Sequence, residues 1–295
     1  MKKLLLGTLL GLVCVVAMAA AWATEPEGPS GLRFDQPLTW TSPSGAPISF
    51  ETEEEALEFL RTAKIVKMKQ ISEGLNKTRK VLLEKDGVQM NAAFRDVASD
   101  RQIPDPRLEG AMQNHRDDAI FEVAAFRLSR MLGLKVVPPT VLREVDGKMG
   151  SMQAWVENAT MDKERRAQGN EPPDEWLWIA QMLTMHFFDN LIANTDRHQG
   201  NLLIDPDWNI WLIDHTQGFR RFRSLHDPDK VQYIDREVWE NLLKLDRKAL
   251  ERAFSDVLRD PEIRALAHRR DLIVKQVKKL IKERGEANVI FSADL

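Results

Sequence analysis

The residues with the clearest chemical potential lie between Asp196 and Asp214, where the sequence reads DRHQGNLLIDPDWNIWLID. An acid, Asp196, is followed five residues later by an amide, Asn201, and an apolar stretch separates that amide from a second acid, Asp214. Phosphoryl transfer uses one carboxylate to accept or orient the proton of the attacking group, and an Asn and an Asp to hold divalent cations on nucleotide phosphates. The spacing therefore predicts a phosphate-and-metal site.

The elements around these residues are readable from the apolar pattern. Residues 202–204 and 210–213 predict a short hairpin that turns at Asp205-Pro206-Asp207, which brings Asn201 and Asp214 to the same open end. Residues 175–193 are apolar on nearly all sides, as expected of a helix buried at the centre of a lobe, with Trp176 on an apolar face. Helical patterns continue to the end of the chain, over residues 236–245, 247–259 and 262–284.

The first half of the chain is richer in strands. Asp86-Gly87 and Asp146-Gly147 each separate two apolar-alternating segments, and Asp-Gly suits a two-residue hairpin turn. A capping box of Thr52 and Glu55 predicts a helix that starts at Thr52, and residues 118–132 form an amphipathic helical pattern between the two hairpins. The predicted order is strand, strand, helix, strand, strand.

A small β-rich lobe before a helical lobe, with the acids at the junction, resembles the protein-kinase-like superfamily. The resemblance is to the atypical branch in which the catalytic loop reads DRH, which includes secretory-pathway Golgi casein kinases, HipA-type bacterial kinases and phosphatidylinositol 3- and 4-kinases. It spans roughly residues 67–222. It implies an α+β, two-lobed fold with a β-rich N-lobe and one main helix over residues 49–158, and a larger helical C-lobe over residues 159–295.

The resemblance also implies roles for individual residues of the C-lobe and the small-lobe helix. DRHQGN is similar to the catalytic loop, with Asp196 as the base and Asn201 as a metal ligand, and WLIDHTQGF places Asp214 at the second metal-binding position. FEVAAFRLSRMLGLKVVPPTV is similar to the small-lobe helix and the strand after it, which puts Glu122 at the ion-pair glutamate.

The nucleotide-facing strands are matched with one departure. In VQMNAAFRDV the alternation places Ala93 and Arg95 on one face, where they resemble an adenine-contacting Ala and a phosphate-binding Lys. Arg keeps the charge, but its planar fork differs from a compact ammonium as a phosphate ligand. GSMQAWVENA resembles the strand leading to the hinge, where backbone groups near Gln153 to Trp155 would meet adenine.

Other polar motifs have less specific interpretations. Residues 72–78 (SEGLNKT) lie where a phosphate-covering loop belongs, with a single glycine. Arg197 and His198 are expected to brace neighbouring backbone, and His215 is expected to be a structural neighbour of Asp214. The His115-Arg116-Asp117 triplet imitates the HRD motif, but it precedes the small-lobe helix and lacks an Asn five residues later.

The N-terminus predicts export. Lys2 and Lys3 precede an apolar run over residues 4–20, and Ala21-Trp22-Ala23 offers small residues for a signal peptidase. Residues 1–23 are interpreted as a cleaved signal peptide, with a retained membrane anchor as the alternative. The Pro- and Gly-rich residues 24–48 predict a flexible tether. The expected location is the periplasm or the medium, with no stable membrane span after cleavage.

Composition excludes several classes of function. Removal of residues 1–23 takes away two lysines and no acids, so the formal net charge moves from −3 to −5, which gives no general affinity for nucleic acid. The sole cysteine, Cys14, lies in the signal segment, so the mature chain has no disulfides. The sequence shows no zinc-ligand spacing, no serine nucleophile elbow and no dinucleotide fingerprint.

These observations favour an exported kinase-like phosphotransferase that uses ATP with Mg²⁺ or Mn²⁺. The acceptor is a protein, a lipid or a sugar, because the loops that select it are not decoded by the sequence. ATP is scarce outside the cytoplasm, which keeps two alternatives open. One is transfer of AMP from the same site, and the other is a catalytically inactive pseudokinase that binds a partner.

Overall fold

A computed structural model describes residues 34–71, 78–104 and 112–293 of the 295-residue chain. The predicted signal peptide, residues 1–23, and residues 72–77 of the predicted phosphate-covering loop lie outside these ranges. Within them, no helix combines the length and apolarity needed to cross a membrane.

The first lobe is built on an antiparallel sheet of five strands in the order β3-β4-β5-β9-β8. In chain order the elements of this lobe are β1 (Leu38–Thr41), β2 (Pro47–Phe50), α1 (Glu53–Thr62), β3 (Lys64–Gln70), β4 (Arg79–Lys85), β5 (Val88–Arg95), β6 (Ala98–Pro104), β7 (Met112–Asp118), α2 (Ile120–Met131), β8 (Thr140–Val145) and β9 (Lys148–Ala154). The strands β6 and β7 form a separate antiparallel ribbon that leads into α2.

The second lobe is mainly helical. Its elements are β10 (Thr160–Met161), α3 (Asp162–Ala167), α4 (Glu175–Ile192), β11 (Leu202–Ile204), β12 (Ile210–Leu212), β13 (Ile234–Asp235), α5 (Arg236–Lys244), α6 (Arg247–Phe254), α7 (Asp260–Arg284) and β14 (Ile290–Phe291). The β11–β12 hairpin pairs with β10, and α7 packs on α4 and α6. An α+β architecture, β-rich first and helical second, is therefore present as predicted.

The turns and helix ends predicted from short sequence motifs are present in the structure. Asp86 and Asp146 have φ near +53°, and the glycines after them have φ of +78° and +75°, the left-handed pair that a two-residue hairpin turn requires. The Thr52 hydroxyl accepts the Glu55 N–H at the start of α1. Helix α2 ends before Gly133, whose φ is +80°.

The prediction of a flexible tether over residues 24–48 is wrong from residue 38 onward, where β1 begins. The strands β1 and β2 form an antiparallel hairpin with Trp40 opposite Ile48, and both side chains are buried. Pro37 directly precedes β1 and Pro47 is the first residue of β2, positions where a missing N–H removes no essential ladder bond. The prolines therefore mark the strand boundaries and do not indicate an extended linker.

Two further features differ from the prediction. Helix α4 is not buried throughout, because Trp176 is 53% exposed and Ile179 is 41% exposed, and burial begins at Ala180. The sequence also gave no indication of β3, which is an edge strand of the main sheet and is mostly exposed. Its lysines suit an unpaired edge, but they leave no apolar alternation to recognise.

Candidate functional site

Arg95 connects the two lobes through its guanidinium group. It is the last residue of β5, it is 8% exposed, and it forms an ion pair with Glu122 of α2. Its Nε donates to the Thr78 hydroxyl at 3.0 Å, and its Nη1 lies 4.0 Å from the Asp214 carboxylate. The structure therefore forms the pair expected of Arg95 and Glu122, and it adds a contact with Asp214 across the gap between the lobes.

Close packing of β5 on β9 fixes the position of Arg95. Arg95 lies opposite Ser151, and its carbonyl oxygen would be 2.1 Å from a Cβ atom at Gly150. That distance is far below any van der Waals contact, so only glycine fits at position 150. The backbone of β9 consequently holds the backbone of Arg95, and the side chain points at α2.

Glu122 is a fully buried carboxylate with three kinds of support. Besides the Arg95 ion pair, its oxygens accept the His215 backbone N–H at 3.0 Å and contact His215 Nδ1 at 2.9 Å. Burial by itself raises the pKa of Glu122, but the Arg95 charge and the His215 hydrogen bonds outweigh burial and lower the pKa to about 2. Glu122 is therefore ionised at neutral pH. His215, expected to be only a structural neighbour of Asp214, links the Asp214 segment to α2.

The predicted catalytic loop lies between α4 and β11. Ala193 ends α4 with φ of +54°, and residues Gln199–Asn201 form one turn of 3-10 helix. The Asn201 side-chain amide donates to the Asp196 carbonyl at 3.2 Å, which closes the loop on itself. The Asp196 carboxylate accepts a hydrogen bond from Gln217 Nε2 at 3.1 Å.

Arg197 braces this loop, as the sequence predicts. It forms two hydrogen bonds with the carboxylate of Asp189, at 3.0 and 3.1 Å, and it donates to the carbonyls of Asn201 and Ile213 at 2.8 and 2.7 Å. One buried side chain thereby ties α4 to both residues that flank the β11–β12 hairpin. His198 has a local role, since its Nδ1 accepts the Gly200 N–H at 3.0 Å.

Asp214 follows β12 in an unusual backbone conformation. Its φ is +61°, which a residue other than glycine adopts at an energetic cost. The Ile213 N–H donates to the Asn201 carbonyl at 3.2 Å, so the hairpin holds Asn201 and Asp214 side by side at its open end. The side chain of Asp214 is 22% exposed. This pairing of an amide with a carboxylate is the arrangement predicted from the sequence.

The oxygen donors suit a hard divalent cation bound together with phosphate. No cluster of three or more His, Cys, Asp or Glu side chains able to hold a metal occurs in residues 34–71, 78–104 and 112–293. Asn201 and Asp214 supply one amide oxygen and one carboxylate. Magnesium in phosphate-transfer sites commonly has one or two protein carboxylates and completes its shell with water and substrate phosphates. Asn201 and Asp214 can therefore bind Mg²⁺ or Mn²⁺ only when phosphate groups of a bound ligand supply further oxygen ligands.

Several of the backbone groups predicted to meet a base already have partners within the protein. The N–H groups of Ala154 and Trp155 donate to the carbonyls of Pro139 and Asn91 at 2.8 and 3.0 Å, and the Trp155 carbonyl accepts from an indole N–H at 2.9 Å. Gln153 pairs with strands on both sides, since it lies opposite Ala93 and Thr140.

These hydrogen bonds occupy the N–H groups of Ala154 and Trp155, so a base at this position would pair with other groups. Ala93 is 8% exposed, and the ammonium of Lys80 lies 4.2 Å from the centre of the Trp155 indole ring.

Three supporting residues were not identified from the sequence. Thr78 and Gln217 hold Arg95 and Asp196 through hydroxyl and amide groups, and no sequence spacing marks such partners. Asp189 was identifiable in principle, because it is an acid inside the apolar segment MHFFDNLIA and a buried acid requires a partner. The HRD-like Arg116 instead pairs with Asp118 and Glu262.

Comparisons with known proteins agree with this architecture. No protein-family model matches the sequence, and no curated protein matches it. Among solved structures, a Fam20 protein from hydra with sugar aligns with a TM-score of 0.59 at 18% identity, over 82% of this chain and 93% of that one. A Golgi casein kinase with Mn and ADP bound aligns with a TM-score of 0.56 at 16% identity, over 82% and 80%.

These identities are low enough that the likeness concerns the fold alone. A second Golgi casein kinase structure aligns similarly, with a TM-score of 0.57 at 15% identity, over 82% of this chain and 79% of that one. Each alignment covers 82% of this chain. The chain has an atypical protein-kinase-like fold.

Proposed function

We propose that this protein is an exported phosphotransferase that binds ATP with Mg²⁺ or Mn²⁺ in the gap between its lobes. The observation that carries the proposal is the contact of one buried cation, Arg95, with both Glu122 and Asp214. A cation anchored by a buried carboxylate and placed next to a metal-binding acid is the arrangement that protein kinases use on nucleotide phosphates. The low-identity structural neighbours, which include a Golgi casein kinase with Mn and ADP, support the same class of activity.

Arg95 binds phosphate oxygens in this proposal. Burial lowers the pKa of the Arg95 guanidinium, but Glu122 and then Asp214 outweigh burial and raise it, so the side chain is always charged. Glu122 and Thr78 fix the direction of the guanidinium plane. An arginine can donate two parallel hydrogen bonds to one phosphate group, which a lysine cannot do.

Asn201 and Asp214 hold the metal, which when bound neutralises charge on the phosphates. Asp196 accepts the proton of the attacking hydroxyl. Among the described residues, Gln217 alone donates a hydrogen bond to its carboxylate, which orients the group and leaves lone pairs for the acceptor hydroxyl. The bracing by Arg197 keeps Asp196 and Asn201 at a fixed separation, and such positioning is a large part of catalysis in phosphoryl transfer.

The acceptor is a protein, lipid or sugar hydroxyl, and the location is the periplasm or the medium. Both parts of this proposal rest on the sequence. The location is inferred from the predicted signal peptide at residues 1–23, and the sequence shows no motif that restricts the acceptor to one of these classes.

A pseudokinase is the second candidate, and one observation favours it. The Arg95 guanidinium already contacts two carboxylates, so part of its hydrogen-bonding capacity is used within the protein. In that case the chain binds a partner, and neither metal nor Asp196 is required. Transfer of AMP uses the same residues and differs only in which phosphate reacts.

The test uses ATP labelled separately at the α- and γ-phosphates, with Mg²⁺ and with Mn²⁺. We expect metal-dependent transfer of the γ-label by the wild type. Asp196→Ala should lower the rate by ~10²- to 10⁴-fold, the usual contribution of a positioned proton acceptor, and keep most nucleotide binding. Asp229→Ala is the matched control, because Asp229 is an exposed acid in the same lobe.

Transfer of the α-label would show that the protein transfers AMP and not the γ-phosphate. Absence of any transfer, together with partner binding that survives Asp196→Ala, would establish the pseudokinase. Full transfer activity in Asp196→Ala would remove Asp196 from the reaction.

A further inference from the structure

A cavity lies where three segments meet: the hairpin of β1 and β2, the linker between the lobes (residues 155–159), and the turn between β11 and β12. Its volume is about 580 Å³, within the size range of sites that enclose small ligands. Its lining includes the indoles of Trp40 and Trp211, Val156 of the linker and Leu177 of α4. None of the residues assigned above to phosphate, metal or proton transfer lines it.

The polar groups along its walls are mostly occupied within the protein. The indole N–H of Trp40 donates to the Trp155 carbonyl, and the indole N–H of Trp211 donates to the Asp205 carboxylate, both at 2.9 Å. Gln181 uses both ends of its amide on backbone groups of the β11–β12 hairpin, at 3.0 and 2.7 Å. The aromatic rings therefore offer apolar surface, and a ligand would not have to break these hydrogen bonds.

Among the buried polar side chains of the lining, Thr184 is the exception. It lines the cavity one turn beyond Gln181 on α4, it is 3% exposed, and its hydroxyl has no hydrogen-bond partner within the described part of the chain. A buried hydroxyl without a partner is unfavourable by itself. Rotation about the Cα–Cβ bond can bring the hydroxyl to the position that the methyl group now holds. The hydroxyl can therefore pair with a polar group of a bound molecule.

The charges around the cavity favour an uncharged occupant. Four ionisable side chains line it. Asp205 is used by Trp211, and Glu157 accepts a hydrogen bond from Asn91 at 2.6 Å. The other two, Lys135 and Asp207, are exposed. A charged ligand would leave water without gaining a buried counter-ion.

We propose that this cavity is a binding site for a small uncharged organic molecule with an aromatic or alicyclic body and one polar group that pairs with Thr184. The site is separate from the proposed nucleotide site and does not depend on it. Because Val156 belongs to the linker between the lobes and Trp40 holds the Trp155 carbonyl, the bound molecule rests against the segment about which the lobes would move.

Binding is tested with Nile red, a neutral dye whose fluorescence increases in apolar surroundings. We expect saturable binding of one dye per chain. Leu177→Trp adds a large side chain to the cavity wall and should weaken binding at least ~10-fold, because the cavity loses volume. Ile179→Trp is the matched control, since Ile179 lies on the same helix, is 41% exposed and does not line the cavity.

The role of Thr184 is tested with two competitors of similar shape, 2-naphthol and naphthalene. The wild type should bind 2-naphthol more tightly than naphthalene. The ratio of the 2-naphthol affinity to the naphthalene affinity should fall by about threefold to tenfold in Thr184→Val, which keeps the side-chain shape and removes the hydroxyl. Asp214→Ala should leave dye binding unchanged, which separates this site from the nucleotide site.

Several outcomes would overturn the proposal. They are absence of saturable dye binding, equal binding by Leu177→Trp and the wild type, or loss of binding in Ile179→Trp, which would place the dye on the exposed face of α4. A wild-type dimer that becomes a monomer in Leu177→Trp would show that a second copy of the chain fills the cavity. An unchanged ratio of competitor affinities in Thr184→Val would remove the hydroxyl from the site.

Discussion

Replacement of Arg95 by methionine should destabilise the fold in a pH-dependent manner, because it leaves Glu122 buried without a cation. Glu122 is 0% exposed, and its pKa is about 2 in the native protein although burial acts to raise it. The low pKa depends first on Arg95 and then on His215. Without Arg95 the largest remaining influence is burial, which moves the pKa of Glu122 upward.

The magnitude follows from the pKa difference. A shift from the ordinary value of 4.5 to about 2 corresponds to roughly 3 kcal/mol of folding free energy, at about 1.4 kcal/mol per pKa unit. The folded pKa is depressed, so this stabilisation is fully present above pH 4.5 and is lost as the pH falls towards 2. Removal of one partner from a buried ion pair costs about 3–5 kcal/mol.

The sign of the pH dependence distinguishes the variant from the wild type. In Arg95→Met the folded pKa of Glu122 is raised above its unfolded value, so protonation favours the folded state. The stability deficit against the wild type should therefore be larger at about pH 7.5 than at about pH 5. The double variant Arg95→Met with Glu122→Gln removes the titrating group, and its deficit should be nearly equal at the two pH values.

Urea unfolding followed by tryptophan fluorescence measures these free energies. Arg61→Met is the control, because the ion pairs that Arg61 makes with described residues, Glu54 and Glu58, are exposed, and such pairs contribute at most about 1 kcal/mol. A deficit for Arg95→Met no larger than that of Arg61→Met would refute the argument. So would a deficit of the same size at both pH values.

The remaining predictions concern ligand binding and the loop. Arg95→Lys should retain nucleotide binding and Arg95→Ala should weaken it by at least ~10-fold, because a charged phosphate contact is lost; equal affinities in calorimetry would remove Arg95 from the site. Asp214→Ala should abolish the metal dependence of ATP binding, and metal-dependent binding that survives would place the metal elsewhere. Arg197→Ala should cost about 3–5 kcal/mol in unfolding free energy, since it leaves the buried Asp189 carboxylate without its cation. It should also slow transfer more than it weakens nucleotide binding, and equal losses in both would contradict a role confined to the loop.

The sequence by itself determined features that depend on a few neighbouring residues. The Asp-Gly turns, the Thr52 cap and the Gly133 helix end form where the sequence predicts them, because each is set by the backbone preference of one or two residues. The hairpin that carries Asn201 and Asp214 follows from apolar alternation between turn residues. The bracing role of Arg197 followed from its place in the loop, but its partner Asp189 did not.

The tertiary structure decided which distant groups meet. The link from Arg95 through Glu122 to His215 joins three separate segments, and neither its geometry nor the pKa of Glu122 can be derived from local patterns. The same holds for Trp155, whose backbone N–H is taken by the neighbouring strand and not left for a base.

The tertiary structure also decided the burial of segments whose apolar pattern is weak. The hairpin of β1 and β2 lies in a Pro- and Gly-rich stretch, and it is ordered because Trp40 finds the Trp155 carbonyl and the Trp211 ring. At the start of α4 the opposite occurs, since Trp176 stays exposed although its segment is apolar. Apolar content states how much surface a segment can bury, and only the arrangement of the whole chain determines whether a partner is there to cover it.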